Sequence, residues 1–391
     1  MELTVLMPAR NAGFTIERAV ASLDAPSITS IVLIDDFSDD DTVARARKLG
    51  DVRLRVVRPN QHRGLAHARN RGLEAVETEW LVWCDADDAF EPGRAAALLK
   101  ILETTGADCA SDGVRLFDGP SGRFLRDLPV PEFLGRPEDA CRLFERNYLP
   151  GVGHIAVRTG LARELLYDDS LSSADDYDLA LRLVRAGARF AFSSNLGYRM
   201  HAYPGSDSRK LERQNAMTAQ VLRKHAYEDV ADLYRRAGFS ERVAAWGLSS
   251  MAIFRREYAE ALRFLDRACP DKAALDDVLE PEGPYPVPEG WRHAFSRGTL
   301  HLLLGDAEPA GRYLTEAGNW RESADACNNL GVALARVGRN SEAHRQFERA
   351  LELFPGYLDA RLNLQSPEPS RITPLPLRLQ PSRNDYLPES A

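Results

Sequence analysis

The sequence predicts an α/β domain with a mainly parallel sheet over residues 1–210, followed by an all-α helical-repeat domain over 211–364. Three observations lead to this division. In the first ~115 residues, short runs rich in β-branched residues alternate with stretches of helical period, which is the pattern of βαβ units. Beyond residue 210 the chain is rich in Ala, Arg and Leu, without strand patterns. A spacing of 33 residues recurs in that second part.

Four strands, each followed by a helix, are predicted in the first part. Each strand is a short apolar run, and turn residues end it before a helical period begins. The predicted strands are 3–7, 30–34, 53–57 and 79–84, and the predicted helices are 12–23, 39–49, 65–75 and 92–104. Polar residues therefore gather at the carboxyl ends of the strands, where an open α/β sheet binds its ligands.

The middle of the chain is less regular. Prolines and turn residues between Gly113 and Pro150 predict loops around a site. In the stretch 151–208, the acidic group Asp175-Asp176-Tyr177-Asp178 precedes an amphipathic segment, 179–186, that predicts a helix. We expect this stretch to belong to the first domain.

Helical pairs are predicted in the second domain from small residues that recur 33 positions apart. Gly298, Gly305, Ala310 and Ala317 are followed at that spacing by Gly331, Gly338, Ala343 and Ala350. Small residues at such places let two helices approach closely. A further copy is predicted at 248–268, before an acidic, proline-rich insert at 276–290, and the segment 328–355 resembles a tetratricopeptide repeat. The proline-rich end, 365–391, is expected to be disordered or to lie along the surface.

Composition restricts the class of protein. Of 391 residues, 44% are hydrophobic and 28% charged, which is typical of a globular chain. A formal net charge of −8 disfavours nucleic-acid binding because no global positive field attracts phosphates. No run approaches the roughly 18 apolar residues that span a bilayer, and the N-terminus does not read as a signal peptide. Five cysteines without a CxxC pair favour a reducing cytoplasm over a disulfide framework or a zinc site.

The densest group of chemically active side chains is Asp85-Ala86-Asp87-Asp88, which directly follows the apolar strand ending at Cys84. Carboxylates crowded in a cleft repel one another unless a cation compensates them, and oxygen ligands suit Mg²⁺ or Mn²⁺. The alternative is a solvated acidic turn in which Asp88 begins the next helix. The pattern alone leaves both interpretations open.

Two other strand ends carry polar side chains. Asp36 follows the second strand, where its carboxylate would accept hydrogen bonds from a nucleobase or ribose, and the alternative is an Asx turn. Arg63 precedes the third helix, where it would meet a diphosphate together with the helix N-terminus. His67 and Arg69 are interpreted as surface charge. No GxGxxG or GxxxxGK[ST] pattern follows a strand, which removes the usual dinucleotide and P-loop interpretations.

Five blocks of sequence occur in the order found in glycosyltransferase family 2, so the chain resembles these GT-A-fold enzymes over residues 1–208. The blocks are 5–12 (VLMPARNA), 34–40 (IDDFSDD), 60–72 (NQHRGLAHARNRG), 85–88 (DADD) and 173–183 (SADDYDLALRL). Two departures stand out. Arg10 replaces the Tyr that often follows the Pro-x pair, and Asp175 replaces the Glu of the Glu-Asp motif.

The resemblance implies a role for each block. The donor-binding residues would be Pro8, Arg10, Asn11, Asp36, Arg63, Asp85 and Asp88. Among them, the backbone around Pro8 and Asp36 would hold the base, Arg63 would approach the diphosphate, and Asp85 would contact the ribose or water around the metal. Arg10 would stack on the base through its planar guanidinium. The metal ligands would be Asp87 and His201, and Asp176, with Asp175 as the alternative, would be the general base.

The sequence therefore predicts an inverting, metal-dependent glycosyltransferase that uses Mn²⁺ or Mg²⁺ and a nucleotide sugar, with a UDP-sugar preferred. The repeats would hold a peptide or protein acceptor, or would mediate a homodimer. Two other classes stay open: a non-catalytic scaffold that binds nucleotide sugars, and a nucleotidyltransferase. The second is disfavoured because no glycine-rich, lysine-containing loop follows the first strand.

Overall fold

The computed structural model describes residues 1–203, 211–270 and 287–376, and the chain separates into two compact units. The first unit comprises Met1–Leu143 and Asn147–Lys224, and the second comprises Phe144–Arg146 and His225–Ala391. The division falls after Lys224 rather than at residue 210, since the helix Leu211–Arg223 belongs to the first unit.

The first unit is built on a nine-stranded sheet. Strands Leu3–Ala9 and Trp80–Trp83 are buried along their whole length because helices cover both faces of such a sheet. The strands are β1 (Leu3–Ala9), β2 (Ile28–Asp35), β3 (Leu54–Val57), β4 (Trp80–Trp83), β5 (Ala89–Phe90), β6 (Cys109–Asp118), β7 (Phe124–Leu128), β8 (Ala156–Arg158) and β9 (Phe190–Ala202). Their order is β3-β2-β1-β4-β8-β6-β9-β5, and β7 pairs with β6.

The sheet is mixed, which corrects the expectation of a mainly parallel one. Strands β1 to β4 are parallel to one another, with Leu6 of β1 between Val32 of β2 and Trp83 of β4. In the other half, β8 pairs antiparallel with β4 and β6, while β6 and β9 are parallel. The carboxyl ends of β1, β2 and β4 share one edge, so the residues that follow these strands lie close together.

The stretch predicted as loops contains most of β6 and all of β7, so the loop prediction was wrong there. Strand β6 includes Asp112, which is buried. Arg94 compensates this carboxylate with two hydrogen bonds, Nε to Oδ2 at 2.9 Å and Nη2 to Oδ1 at 2.8 Å. A buried charge needs such a partner, and the partner lies 18 residues away, where a local pattern cannot reveal it.

In the first part of the chain, helices alternate with strands as the sequence predicts. They are α1 (Ile16–Ala21), α2 (Thr42–Lys48), α3 (Leu65–Glu74), α4 (Arg94–Thr105), α5 (Thr159–Leu165), α6 (Asp175–Arg185) and α7 (Leu211–Arg223). Helix α3 packs so closely that a Cβ on Gly72 would lie 2.5 Å from Ile34 Cδ1. Among the described residues, no helix has the length and apolar character to cross a bilayer. All five cysteines are buried.

The second unit is helical, and the predicted pairing of helices is confirmed. Its helices are α8 (Tyr227–Arg236), α9 (Glu241–Phe254), α10 (Tyr258–Ala268), α11 (Glu289–Leu304), α12 (Ala307–Trp320), α13 (Ala324–Arg336), α14 (Asn340–Leu353) and α15 (Leu358–Gln365). A Cβ on Gly298 would lie 2.7 Å from Leu314 Cγ, and one on Gly331 would lie 2.5 Å from Phe347 Cε1. The recurring glycines therefore mark the same close contact in successive pairs.

The further predicted copy is the pair α9 and α10, whereas most of the predicted insert, 276–286, lies outside the described residues. For residues 366–376 the structure agrees with the expectation of a segment that lies along the surface, rather than with disorder. Thr373 and Leu375 are each only 6% exposed, and Ile372 packs against the core of the helical unit. Side-chain hydrogen bonds from the helices also hold this segment. Residues 377–391 lie outside the described part of the chain.

Candidate active site

Two carboxylates of the acidic motif after β4 meet a histidine. Asp85, Asp88 and His154 each offer one ligand atom, and these atoms all lie within 4.8 Å of one another. His154 Nε2 is 3.0 Å from Asp85 Oδ2. Two carboxylate oxygens and one imidazole nitrogen form a donor set that suits Mn²⁺ or Mg²⁺. We refer to these three residues as the acidic cluster.

Tyr198 and Arg94 hold the acidic cluster in place. The Tyr198 ring stacks on the His154 ring with centroids 3.8 Å apart, and its hydroxyl accepts a hydrogen bond of 3.0 Å from the Asp85 amide. Arg94 Nη2 donates to the His154 carbonyl at 2.7 Å. His154 Nδ1 is buried and has no hydrogen-bond partner among the described residues. Sequence reasoning missed Tyr198 and Arg94 because their partners lie on other elements.

The two predicted metal ligands lie beside the acidic cluster. Burial and the negative charges of Asp88 and Asp85 raise the pKa of Asp87 to about 8. His201 donates its backbone N–H to Asp88 Oδ1 at 2.7 Å, and its ring Nδ1 is 3.7 Å from the same oxygen. The carboxylates of this short motif therefore lie close together, and burial with their mutual repulsion favours the protonated form of Asp87.

Arg69 and Asp175 form a buried ion pair, with 2.7 Å between Nη1 and Oδ2. The guanidinium also lies over the rings of Trp83 and Tyr167, 5.6 and 5.3 Å from their centroids. A second nitrogen is 3.9 Å from Asp85 Oδ1. The interpretation of Arg69 as surface charge was therefore wrong. The sequence contained no local signal for this pair, since its partners are 106 residues apart.

Asp176 is held differently from its neighbour. It lies in the first turn of α6, where its Oδ1 accepts the Tyr177 N–H at 2.7 Å. Its Oδ2 faces Gly153, at which an added Cβ would lie only 2.8 Å away. Burial and the charge of Asp175 raise the pKa of Asp176, against the opposing effect of Arg69. Because Gly153 precedes His154, this segment brings Asp176 close to the acidic cluster.

Asp36 lies in a chain of hydrogen bonds at the end of β2. Its Oδ2 is 2.7 Å from His62 Nδ1, and His62 Nε2 is 2.7 Å from Arg10 Nη1. Its Oδ1 is buried and has no hydrogen-bond partner among the described residues. Asn11 organises the adjoining loop, since its Oδ1 accepts the Asp39 N–H at 2.8 Å. Pro8 is buried in β1, paired with Ile34 of β2.

Arg63 lies just before α3, as predicted, and its Nη2 is 3.3 Å from Asp169 Oδ2. Left-handed backbone conformations occur at Asn11, Phe37 and Ala174, with φ of 53°, 62° and 59°. Asn11 is itself a predicted site residue, Phe37 follows Asp36, and Ala174 precedes Asp175. Such conformations cost free energy and cluster at functional sites. Two other left-handed non-glycine residues, Leu166 and Arg256, are not among the predicted site residues.

Comparison with known proteins decides the family. Residues 4–162 match Glycosyl transferase family 2, and residues 324–357 match the Tetratricopeptide repeat. Succinoglycan biosynthesis protein ExoO of Rhizobium meliloti (strain 1021) is 30% identical over 269 residues, covering 61% of this chain and 74% of that protein. The chain belongs to glycosyltransferase family 2. The predicted family, its α/β fold class and the helical repeats are thereby confirmed, and the nucleotidyltransferase interpretation loses its support.

Two further proteins are similar to this family 2 chain. Succinoglycan biosynthesis protein ExoU of the same organism is 35% identical over 215 residues, covering 50% of this chain and 61% of that protein. The chain thus covers less than two thirds of that relative. The crystal structure of S. aureus TarS 1–349 aligns with a TM-score of 0.49 and 15% identity, covering 92% of this chain and 93% of that one.

Proposed function

We propose that this chain transfers a sugar from a nucleotide sugar to an acceptor hydroxyl, with inversion at the anomeric carbon and with Mn²⁺ or Mg²⁺ as cofactor. The observation that carries the proposal is the Gly153-His154 segment, which brings Asp176 beside the acidic cluster. One residue of this segment packs against the candidate base, and the next belongs to the candidate metal site.

The acidic cluster fits a divalent cation. Asp85 and Asp88 supply hard oxygen ligands and His154 supplies a nitrogen. Burial, together with the negative charges of Asp88 and Asp85, raises the pKa of Asp87, and a cation would offset those charges. When bound, the cation offsets negative charge that develops on the departing diphosphate. Asp87 and His201 adjoin the set as further candidate ligands.

Asp176 is the better candidate for the general base. Asp175 is engaged by Arg69 in a buried ion pair, so its oxygen is held away from an incoming hydroxyl. The raised pKa of Asp176 strengthens it as a proton acceptor. In the proposed step, Asp176 takes the acceptor proton while the acceptor oxygen bonds to the anomeric carbon. The bond from that carbon to the diphosphate breaks on the opposite side, which inverts the configuration.

The donor side favours a uridine nucleotide. The Oδ1 of Asp36, which has no hydrogen-bond partner in the described part of the chain, would accept the N3–H of uracil. Arg10, hydrogen-bonded to His62, would stack beside the base. Arg63 and the N-terminus of α3 would face the diphosphate.

For the acceptor, the similarity to ExoU and ExoO, which are succinoglycan biosynthesis proteins, favours a glycan hydroxyl. A peptide hydroxyl, suggested by the repeats, is the second candidate.

A donor screen tests the proposal. The full-length chain is incubated with UDP-, GDP- and dTDP-hexoses, with and without Mn²⁺, and released nucleoside diphosphate is measured by chromatography. We expect UDP release that requires Mn²⁺ and increases with a suitable acceptor. In parallel, thermal unfolding is expected to shift upward with the same donor, because a ligand of the native state stabilises it. The proposal would be contradicted if no donor gave either turnover or a thermal shift.

A further inference from the structure

Three buried asparagines of the helical unit bind the main chain of residues 370–373. Asn328 and Asn329 lie on α13 and Asn363 lies on α15, and all three are at most 1% exposed. We call them the asparagine clamp. Residues 371–374 belong to no helix or strand, so the clamp holds an extended segment without regular structure.

Two asparagines of the clamp, Asn329 and Asn363, each bond both the N–H and the carbonyl of one main-chain residue. Asn363 Oδ1 accepts the N–H of Arg371 at 2.9 Å, and its Nδ2 donates to the carbonyl of the same residue at 2.8 Å. Asn329 repeats this arrangement at Thr373, with 2.8 Å for both bonds. Asn328 adds a bond of 3.0 Å to the Arg371 carbonyl.

Side chains of the bound segment contribute unequally. The side chains of Ser370 and Arg371 are exposed, although their main chain is bonded. The Thr373 hydroxyl, in contrast, is buried against the Tyr357 hydroxyl and lies 3.2 Å from Asp359 Oδ2. The site therefore accepts variation at the first two positions, 370 and 371, and selects a hydroxyl residue at the fourth, Thr373.

The asparagines need an occupant. A buried amide group that loses its hydrogen-bond partners destabilises the fold by more than an average hydrogen bond stabilises it. The asparagines also bond one another and Thr299 across the helices. These bonds do not satisfy the clamp, because among the described residues the Oδ1 of Asn363 accepts only from the N–H groups of Ser370 and Arg371. The arrangement is that of a receptor for an extended peptide.

We propose that the asparagine clamp is a peptide-binding site for a four-residue extended main chain with a Thr or Ser at its fourth position, and that residues 370–373 are its resident occupant. A segment of a partner protein with this chemistry would compete with the resident segment. The proposal does not depend on the transfer reaction, because every residue that carries it belongs to the helical unit.

Binding of a synthetic peptide in trans tests the proposal. A fluorescent peptide with the sequence of residues 366–376 is titrated into the full-length wild type and into full-length R371P/T373P, which lacks the two N–H groups that the clamp accepts. We expect at least tenfold tighter binding to the variant, because its own segment no longer competes. The proposal would be overturned if R371P/T373P still unfolds cooperatively but binds the peptide no more tightly than the wild type does, or does not bind it.

Peptide chemistry supplies the matched controls. N-methylation at the Arg371 and Thr373 amides should weaken binding at least tenfold, whereas a peptide with Arg371→Ala should bind within about twofold of the original. In the protein, Asn329→Ala should weaken binding, and Asn340→Ala, on the exposed start of α14, should not. Equal affinity of the methylated and unmodified peptides would show that main chain is not recognised.

A third measurement covers the case in which the R371P/T373P variant does not fold. In the wild type, excess unlabelled peptide should speed hydrogen exchange at the resident Arg371 and Thr373 amides. Unchanged exchange at peptide concentrations that saturate the wild type would overturn the proposal.

Discussion

Arg69 and Asp175 form an ion pair that is buried in the first unit, with 2.7 Å between Nη1 and Oδ2, beside the proposed base Asp176. The pair joins α3 to α6 and lies against two aromatic rings. It fixes the start of α6, and its positive charge lowers the proton affinity of Asp176. The pair therefore links the stability of the unit to the chemistry of the site.

Arg69→Met is expected to destabilise the chain by about 3 kcal/mol, because it leaves Asp175 buried without its cation. The same change removes a charge that lowers the pKa of Asp176, so the acidic limb of the activity profile should move to higher pH. Urea unfolding and a pH–rate profile measure the two effects. Arg71→Met, on the exposed side of α3, is the control and should change stability by less than about 0.5 kcal/mol.

Asp176→Asn should lower kcat by about 10²- to 10⁴-fold and leave donor affinity unchanged. Because the folded site raises the pKa of Asp176, its ionisation opposes folding above the ordinary aspartate range. The variant should therefore be more stable than wild type at pH 7 without metal, and the difference should vanish as the pH falls below about 4. Calorimetry in a chelator checks this. A variant that loses donor affinity as well would contradict the separate role.

Gly153→Ala should reduce kcat by about 10- to 100-fold, because the new Cβ would lie 2.8 Å from Asp176 Oδ2 and must displace it by about 0.6 Å to reach ordinary contact at 3.4 Å. Gly160→Ala is the matched control. Apart from its chain neighbours and its own helix backbone, no heavy atom of the described residues lies within 4 Å of a Cβ at Gly160, which is in α5. This change should therefore raise stability by about 0.5 kcal/mol and spare activity. Equal kcat values for the two variants would argue against close packing of Asp176.

His154→Ala and Asp88→Asn should each weaken Mn²⁺ binding about 10- to 100-fold in titration calorimetry, since each removes a ligand of the acidic cluster. Asp87→Asn tests whether this neighbour contributes as well. Asp127→Asn, an exposed carboxylate on β7, is the control and should bind Mn²⁺ as wild type does. Wild-type affinity in both cluster variants would place the metal elsewhere.

Lys224→Met should destabilise the chain at pH 7 by about 1–2 kcal/mol. Lys224 lies 2.5 Å from Asp168 and 2.7 Å from Asp178, which is fully buried. Hydrogen bonds from Lys224 and Ser170 lower the pKa of Asp168 to about 2. This contribution is present above about pH 4 and is lost as the pH falls towards 2, so the wild type and variant should converge there in acid-unfolding curves. Lys224→Arg should retain most of the stability.

The sequence by itself determined the elements and the motifs with local signals. Alternating apolar runs located β1 to β4 and the helices between them, and the 33-residue spacing of small residues located the helical pairs. Strand-end carboxylates such as Asp36 and Asp85 could be recognised because a parallel strand carries the residues after it to a shared edge. These features depend on residues near one another in the chain, so periodicity and turn chemistry are enough.

Only the tertiary structure decided which side chains meet. Arg69 pairs with Asp175 over 106 residues, His154 reaches Asp85 over 69, and Asn329 binds Thr373 over 44. Burial of a charged or amide group is favourable only with a partner, and the partner can come from any element that folding brings near. For this reason an apparent surface arginine is buried, and a proline-rich tail fills an asparagine clamp.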